Sequence, residues 1–161
     1  MSNIYLIGMP ASGKSTLGKK LADKLSFDFI DINTEIEKEA LMFLDELYER
    51  YGQEAVSLAE TNLLINFKDK KNTVFALNDA VINTRKNKKL LNGKIIYLDV
   101  DEKELMKRLK SLYPKNIFEN ITLSTMLEER FLKYRTFANY IIDNNSNDLN
   151  KVIEEITSLS W

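Results

Sequence analysis

Apolar and polar positions along the chain fall into alternating short runs and longer periodic stretches. Ile4-Tyr5-Leu6-Ile7 is a continuous apolar run and predicts a buried strand. Behind it, Leu17, Leu21 and Leu25 recur every four residues and predict an amphipathic helix. Phe27 to Asp31 reads as a second strand, and a helix follows from about Thr34, with Thr34 as N-cap and Glu37 three residues on. Helical spacing runs through Leu44, Leu47, Tyr48 and Tyr51, then restarts after Gly52 through Val56, Leu63, Leu64 and Phe67. Asn72 to Leu77, Lys94 to Val100 and Tyr140 to Asp143 are the remaining strand signals. Between the last two, Asp101 caps a helix carrying Leu105, Met106 and Leu109, Pro114 ends that region, and Leu123 to Phe137 is helical. Asn144 to Asn150 is a polar turn, and Val152, Ile153 and Ile156 mark a closing helix. Strands alternating with helices imply an α/β fold whose parallel strands are covered on both faces.

Composition narrows the chemistry. The chain has 161 residues, suited to one domain over 1–161, and is 44% hydrophobic, enough for a sizeable core. Its net charge of -1 draws it neither to nucleic acid nor to an anionic membrane. With no cysteine and no histidine, disulfides, thiolate metal sites and the commonest general base are excluded. Acid–base work falls to carboxylates or lysine. The first strand begins within a few residues of Met1, and no apolar run approaches a membrane span, so the expectation is a soluble cytoplasmic protein. It is taken as a monomer acting on a small molecule.

Gly8-Met9-Pro10-Ala11-Ser12-Gly13-Lys14-Ser15-Thr16 fits G-x-x-x-x-G-K-[ST], between a predicted strand and a helix N-terminus. That context is what the phosphate-binding mechanism requires. Backbone N–H groups of Ala11, Ser12, Gly13, Lys14, Ser15 and Thr16 can cradle phosphate oxygens, and the helix dipole favours negative charge. Lys14 reaches the β- and γ-phosphates of ATP, and the Ser15 hydroxyl binds Mg²⁺. Asp31, ending the second strand, either holds a water of that Mg²⁺ or caps the next helix. Asp79 follows an apolar strand and is read as a metal or substrate contact, or as the cap of a helix near Ala80. Arg108 is read either as stacking on adenine or as a solvated helix residue. Arg130 either binds an anion or pairs with a helix acid such as Glu128.

Gly8 to Thr16, followed by Phe29-Ile30-Asp31-Ile32-Asn33-Thr34-Glu35-Ile36-Glu37-Lys38 and Asp45-Glu46-Leu47-Tyr48-Glu49-Arg50-Tyr51-Gly52-Gln53-Glu54, resembles the shikimate kinase family. The spacing matches without gaps, and Glu129-Arg130 extends the likeness over nearly the whole chain. The resemblance implies a three-layer α/β/α P-loop kinase with a five-stranded parallel sheet. It also implies a lid at about 112–122 and a substrate-binding helical region at about 33–68. It implies transfer of the ATP γ-phosphoryl to a hydroxyl of shikimate or a related hydroxylated acid. The residues of this chain then give Lys14, Asp31 and Asp79 as catalytic candidates, with Asp31 or Asp79 as the obvious bases.

The departures fall on the substrate side. The family's Asp-x-Asp reads Asp31-Ile32-Asn33, and an amide cannot take a proton. Its first carboxylate-binding arginine aligns with Ser57, its Gly-Gly-Gly with Asn78-Asp79-Ala80, and its lid Arg-Pro with Tyr113-Pro114. Only Arg130 of the two substrate arginines is kept, and losing one charge-assisted pair costs roughly 1.5–3 kcal/mol. Substrate binding is thus assigned to Asn33, Ser57, Asp79 and Arg130, with Lys115 as the cation nearest the missing lid arginine. These changes predict weak or absent phosphorylation of shikimate. They leave two alternatives: a kinase for another small hydroxylated substrate, or a catalytically weak ATP-binding regulator.

Overall fold

The computed structural model describes residues 2–112, 120–146 and 148–160. β1 (Asn3–Ile7) leads into α1 (Lys14–Leu25), β2 (Asp28–Asp31), α2 (Ile32–Ala40) and α3 (Leu44–Asn66). Next come β3 (Thr73–Ala76), a 3₁₀ turn (Val81–Asn83), α4 (Asn87–Leu90) and β4 (Gly93–Asp99). α5 (Glu102–Leu112), α6 (Asn120–Phe137), β5 (Tyr140–Asp143) and α7 (Leu149–Thr157) complete the order. The five strands form one parallel sheet in the order β2-β3-β1-β4-β5.

Strand alternation sorts the core into two layers. Ile4 and Leu6 of β1, Val74 of β3, and Ile96 and Leu98 of β4 pack on α1 and α7 through Leu17, Leu21, Val152 and Ile156. Tyr5 and Ile7, Phe75, Ile95 and Tyr97 face the other way, toward Ile36, Val56, Leu64, Leu105 and Tyr134. Both sheet faces are buried, which is why these strands read as continuous apolar runs. No described helix is long and apolar enough to cross a membrane.

Two boundaries differ from the sequence reading, for local reasons. The N-cap of α2 is Asp31, not Thr34: its carboxylate accepts from Asn33 N–H and Thr34 N–H, so the helix starts at Ile32. α7 begins inside the polar turn, capped by Asp148 through Lys151 N–H. The restart after Gly52 corresponds to a kink within α3, where Gly52 sits at φ 81°, ψ 177°. That region is open almost only to glycine.

Parallel strands place all their carboxyl ends on one edge of the sheet, where α/β folds bind ligands. The loop after β1, Asp31 at the end of β2 and Asn78-Asp79 after β3 therefore converge there.

Candidate functional site

The phosphate loop is shaped by tethering its carbonyls. Lys14 Nζ donates to the carbonyls of Gly8 (2.8 Å) and Met9 (2.9 Å). Arg108 Nη1 donates to those of Ala11 (3.3 Å) and Ser12 (3.4 Å), and Asn144 Nδ2 also donates to Ser12 (2.8 Å). Ser12 N–H, expected from sequence to face phosphate, instead donates to the Met9 carbonyl at 3.1 Å, and the other loop N–H groups are left for the concave side. Gly13, at φ 100°, is the N-cap of α1 and supplies no side-chain cap, so the first turn of the helix keeps its N–H groups for an anion. A Cβ on Gly13 would stand 2.7 Å from Asn144 Nδ2. The close fit of Asn144 against the loop therefore requires glycine there.

Lys14 is half-buried. Burial pulls its ammonium from 10.5 down to about 8, against the opposing attraction of Asp79 and Asp31. A bound polyphosphate would restore the charge.

Asp31 divides its two oxygens. Oδ1 accepts from Asn33 N–H at 3.0 Å and caps α2, while Oδ2 accepts from the Ser15 hydroxyl at 2.5 Å. The cap and the contact with the loop, posed as alternatives from sequence, coexist. Ser15 Oγ and Asp31 Oδ2 are adjacent hard oxygens, a donor set that suits Mg²⁺, which takes one or two protein ligands beside phosphates and water.

Beyond Asp31 lies a polar shelf. Asn78 Nδ2 donates to Asn33 Oδ1 (2.9 Å) and to the Tyr48 hydroxyl (3.2 Å), and Asn78 Oδ1 accepts from Ala80 N–H (2.9 Å). Asp79 does not cap the 3₁₀ turn. Its Oδ2 pairs with Arg130 Nη1 at 2.5 Å, and its carbonyl accepts from the Tyr134 hydroxyl at 2.6 Å. Arg130 is thus partnered by Asp79 from the loop after β3, not by Glu128 of its own helix. Tyr134 is buried and stacks on Tyr97, with ring centroids 4.9 Å apart.

The other two predicted residues lie differently. Ser57 accepts from Gln53 Nε2 on the same helix (3.1 Å), and it lines a groove of about 370 Å³ with Thr61, Asn83, Thr84 and Lys86. No hydrogen bond among the described residues joins it to the Asp79–Arg130 pair. Arg108 spends the edge of its guanidinium on the carbonyls of Ala11, Ser12, Asn144 and Asn145, and on Glu104. Stacking would use its face, so the two roles involve different parts of one group. Tyr113, Pro114 and Lys115, assigned to a lid from the resemblance, lie outside the described residues.

Sequence reasoning missed Glu60. It is 1% exposed, and its Oε2 accepts from Asn78 N–H at 2.8 Å. Burial pushes its carboxyl up to about 8, with Asp79 adding to the effect, so it is protonated near neutrality. The signal was available: Glu60 shares the apolar stripe of Val56, Leu63 and Leu64 on α3. Asn144 was missed too, read only as part of a turn. It is fully buried and its amide holds the phosphate loop.

A model of the shikimate kinase family matches residues 10–160. The chain belongs to the shikimate kinase family. It is a divergent member of that family of ATP- and Mg²⁺-dependent phosphotransferases, with changed residues on the substrate side. It is 33% identical to the shikimate kinase of Caldanaerobacter subterraneus subsp. tengcongensis, over 97% of this chain and 94% of that protein. It is 34% identical to that of Thermoanaerobacter pseudethanolicus, again over 97% and 94%. The structure of the Acinetobacter baumannii shikimate kinase in complex with shikimate superposes with a TM-score of 0.89. The two are 26% identical, over 98% of this chain and 91% of that one.

Proposed function

We propose that this protein is a monomeric, cytoplasmic kinase that transfers the γ-phosphoryl group of ATP to a hydroxyl of a small polyhydroxylated molecule, shikimate being the reference acceptor among its relatives. The observation that carries this reading is the 2.5 Å contact between Ser15 Oγ and Asp31 Oδ2 beside Lys14, with the Asn33–Asn78–Asp79–Arg130 shelf next to it. Donor and acceptor halves of a phosphotransfer site thereby share one sheet edge. We take the chain as one kinase domain, with 33–68 on the acceptor side and 112–122 as lid.

In the reaction the acceptor oxygen bonds to the γ-phosphorus while the bond from that phosphorus to the bridging oxygen of ADP breaks. The hydroxyl proton leaves to a carboxylate and then to water. Such transfer asks mainly for positioning and charge stabilisation. The loop N–H groups hold the phosphates, and Lys14 meets the charge developing on the transferred group. Ser15 and Asp31 would hold Mg²⁺, which would supply positive charge beside the phosphates. Asp31 and Asp79 are the candidate carboxylates for that proton. Asn33, an amide bonded to Asn78, cannot do so. That substitution favours the second reading, a weak catalyst that binds ATP.

The test is ADP release with shikimate and a panel of polyols and hydroxy acids, using protein from a host without its own shikimate kinase. Turnover of about 1–100 s⁻¹ with one acceptor is expected. Intact ATP–Mg²⁺ binding with no turnover on any acceptor would sink the kinase reading in favour of a regulator.

A further inference from the structure

Lys14 lies close enough to Asp79, Asp31 and Arg130 to feel the charge of each. Lys14 belongs to the donor side. Arg130 is the cation that the described residues offer on the acceptor side, and it is already engaged. Its Nη1 lies 2.5 Å from Asp79 Oδ2, and the two side chains are only 13% and 20% exposed. Solvent screens such a pair weakly.

Asp79 is also held from behind. Its carbonyl accepts from the buried Tyr134 hydroxyl, and its neighbour Asn78 is fixed through its N–H to Glu60 and through its side chain to Asn33, Tyr48 and Ala80. An acceptor bearing a carboxylate would have to take Arg130 from Asp79 or share it. Either way the half-buried Asp79 carboxylate would stand beside a like charge, with its cation lost or divided. A neutral acceptor meets no such conflict. The shelf of Asn33, Tyr48 and Asn78 offers amide and phenol groups suited to hydroxyls.

Resting on the phosphotransferase reading above, we propose that Asp79 is the specificity-determining residue of the acceptor site: its carboxylate occupies Arg130 in place of an acceptor's, so that neutral polyhydroxylated acceptors are selected over hydroxylated acids.

The test compares shikimate with its primary carboxamide, which keeps the ring and hydroxyls but not the charge. Binding of each is measured by calorimetry with a non-hydrolysable ATP analogue and Mg²⁺. The unmodified protein should bind the carboxamide at least tenfold tighter than the acid. Asp79→Asn should move the acid-to-carboxamide affinity ratio at least tenfold toward the acid, and ADP release should follow the same order. A preference of the unmodified protein for the acid overturns the proposal. So does a ratio change under tenfold in Asp79→Asn, or binding of neither compound by either protein. Asp79→Gly, checked for folding by thermal unfolding, replaces Asp79→Asn if the latter does not fold. Loss of ATP-analogue binding by the unmodified protein would count against the phosphotransferase reading instead. The acid–carboxamide comparison without nucleotide then still decides the role of Asp79.

Discussion

Asp31 Oδ2 accepts a hydrogen bond from Ser15 Oγ at 2.5 Å, while its other oxygen accepts from Asn33 N–H at 3.0 Å. One carboxylate therefore joins the phosphate loop to the start of α2. The two roles separate by substitution. Asn is as good an N-cap as Asp, so Asp31→Asn should change stability by less than about 0.5 kcal/mol in urea denaturation, while Asp31→Ala should cost about 1 kcal/mol. Both should weaken Mg²⁺-dependent ATP binding, because both remove the charge. If Asp31→Asn binds Mg²⁺–ATP as tightly as the unmodified protein, Asp31 has no part in holding the metal.

Lys14 predicts a proton-linked nucleotide affinity. With its ammonium lowered to about 8 by burial, part of the free protein is uncharged at this position above that pH. Bound phosphates favour the charged form, so ATP binding near pH 8.5 should take up protons. Binding enthalpies measured in two buffers of different ionisation enthalpy should then differ. Lys14→Arg, charged throughout, should show no such difference, and Lys14→Ala should abolish binding. Between about 8 and 10.5 the unfolded chain holds the extra proton, so this group's contribution to stability rises with pH across that window.

Glu60 predicts the opposite slope. Its carboxyl is raised from 4.5 to about 8 by burial, so the folded chain holds a proton that the unfolded chain releases. Its contribution is fully present below about 4.5 and is lost as pH rises toward 8. Glu60→Gln keeps an acceptor for Asn78 N–H and should flatten the fall of stability across this range. Chemical denaturation at several pH values measures it, and an unchanged slope would show that Glu60 is not the group responsible.

Gly52 isolates backbone strain. It sits at φ 81°, ψ 177°, and a Cβ there would meet nothing within 4 Å. Gly52→Ala should therefore cost about 1–3 kcal/mol from conformation alone. A denaturation midpoint equal to that of the unmodified protein would mean that α3 does not need the kink.

The phosphate loop was legible because its mechanism needs adjacent residues: the glycines, Lys14 and Ser15 lie in one run between β1 and α1. Gly52 was legible as a helix restart for the same reason. Glu60 was harder to see, because one acid in an apolar stripe looks like an interruption until Asn78 N–H is placed against it. Asn144 was harder still, since a buried asparagine and a turn asparagine have the same sequence signature.

By itself the sequence determined the strand–helix alternation, the parallel sheet and the donor half of the site, because apolar period and phosphate-loop spacing are local properties of the chain. It also marked the acceptor half as altered, through Asn33, Ser57 and Asn78-Asp79-Ala80. Only the tertiary structure decided how those altered residues pair. Asp79 and Arg130 are 51 positions apart, Glu60 and Asn78 are 18 apart, and no period links them. They meet because the carboxyl end of β3 lies beside the sheet face that α3 and α6 cover. That packing gives Asp79 to Arg130 and leaves Ser57 to Gln53.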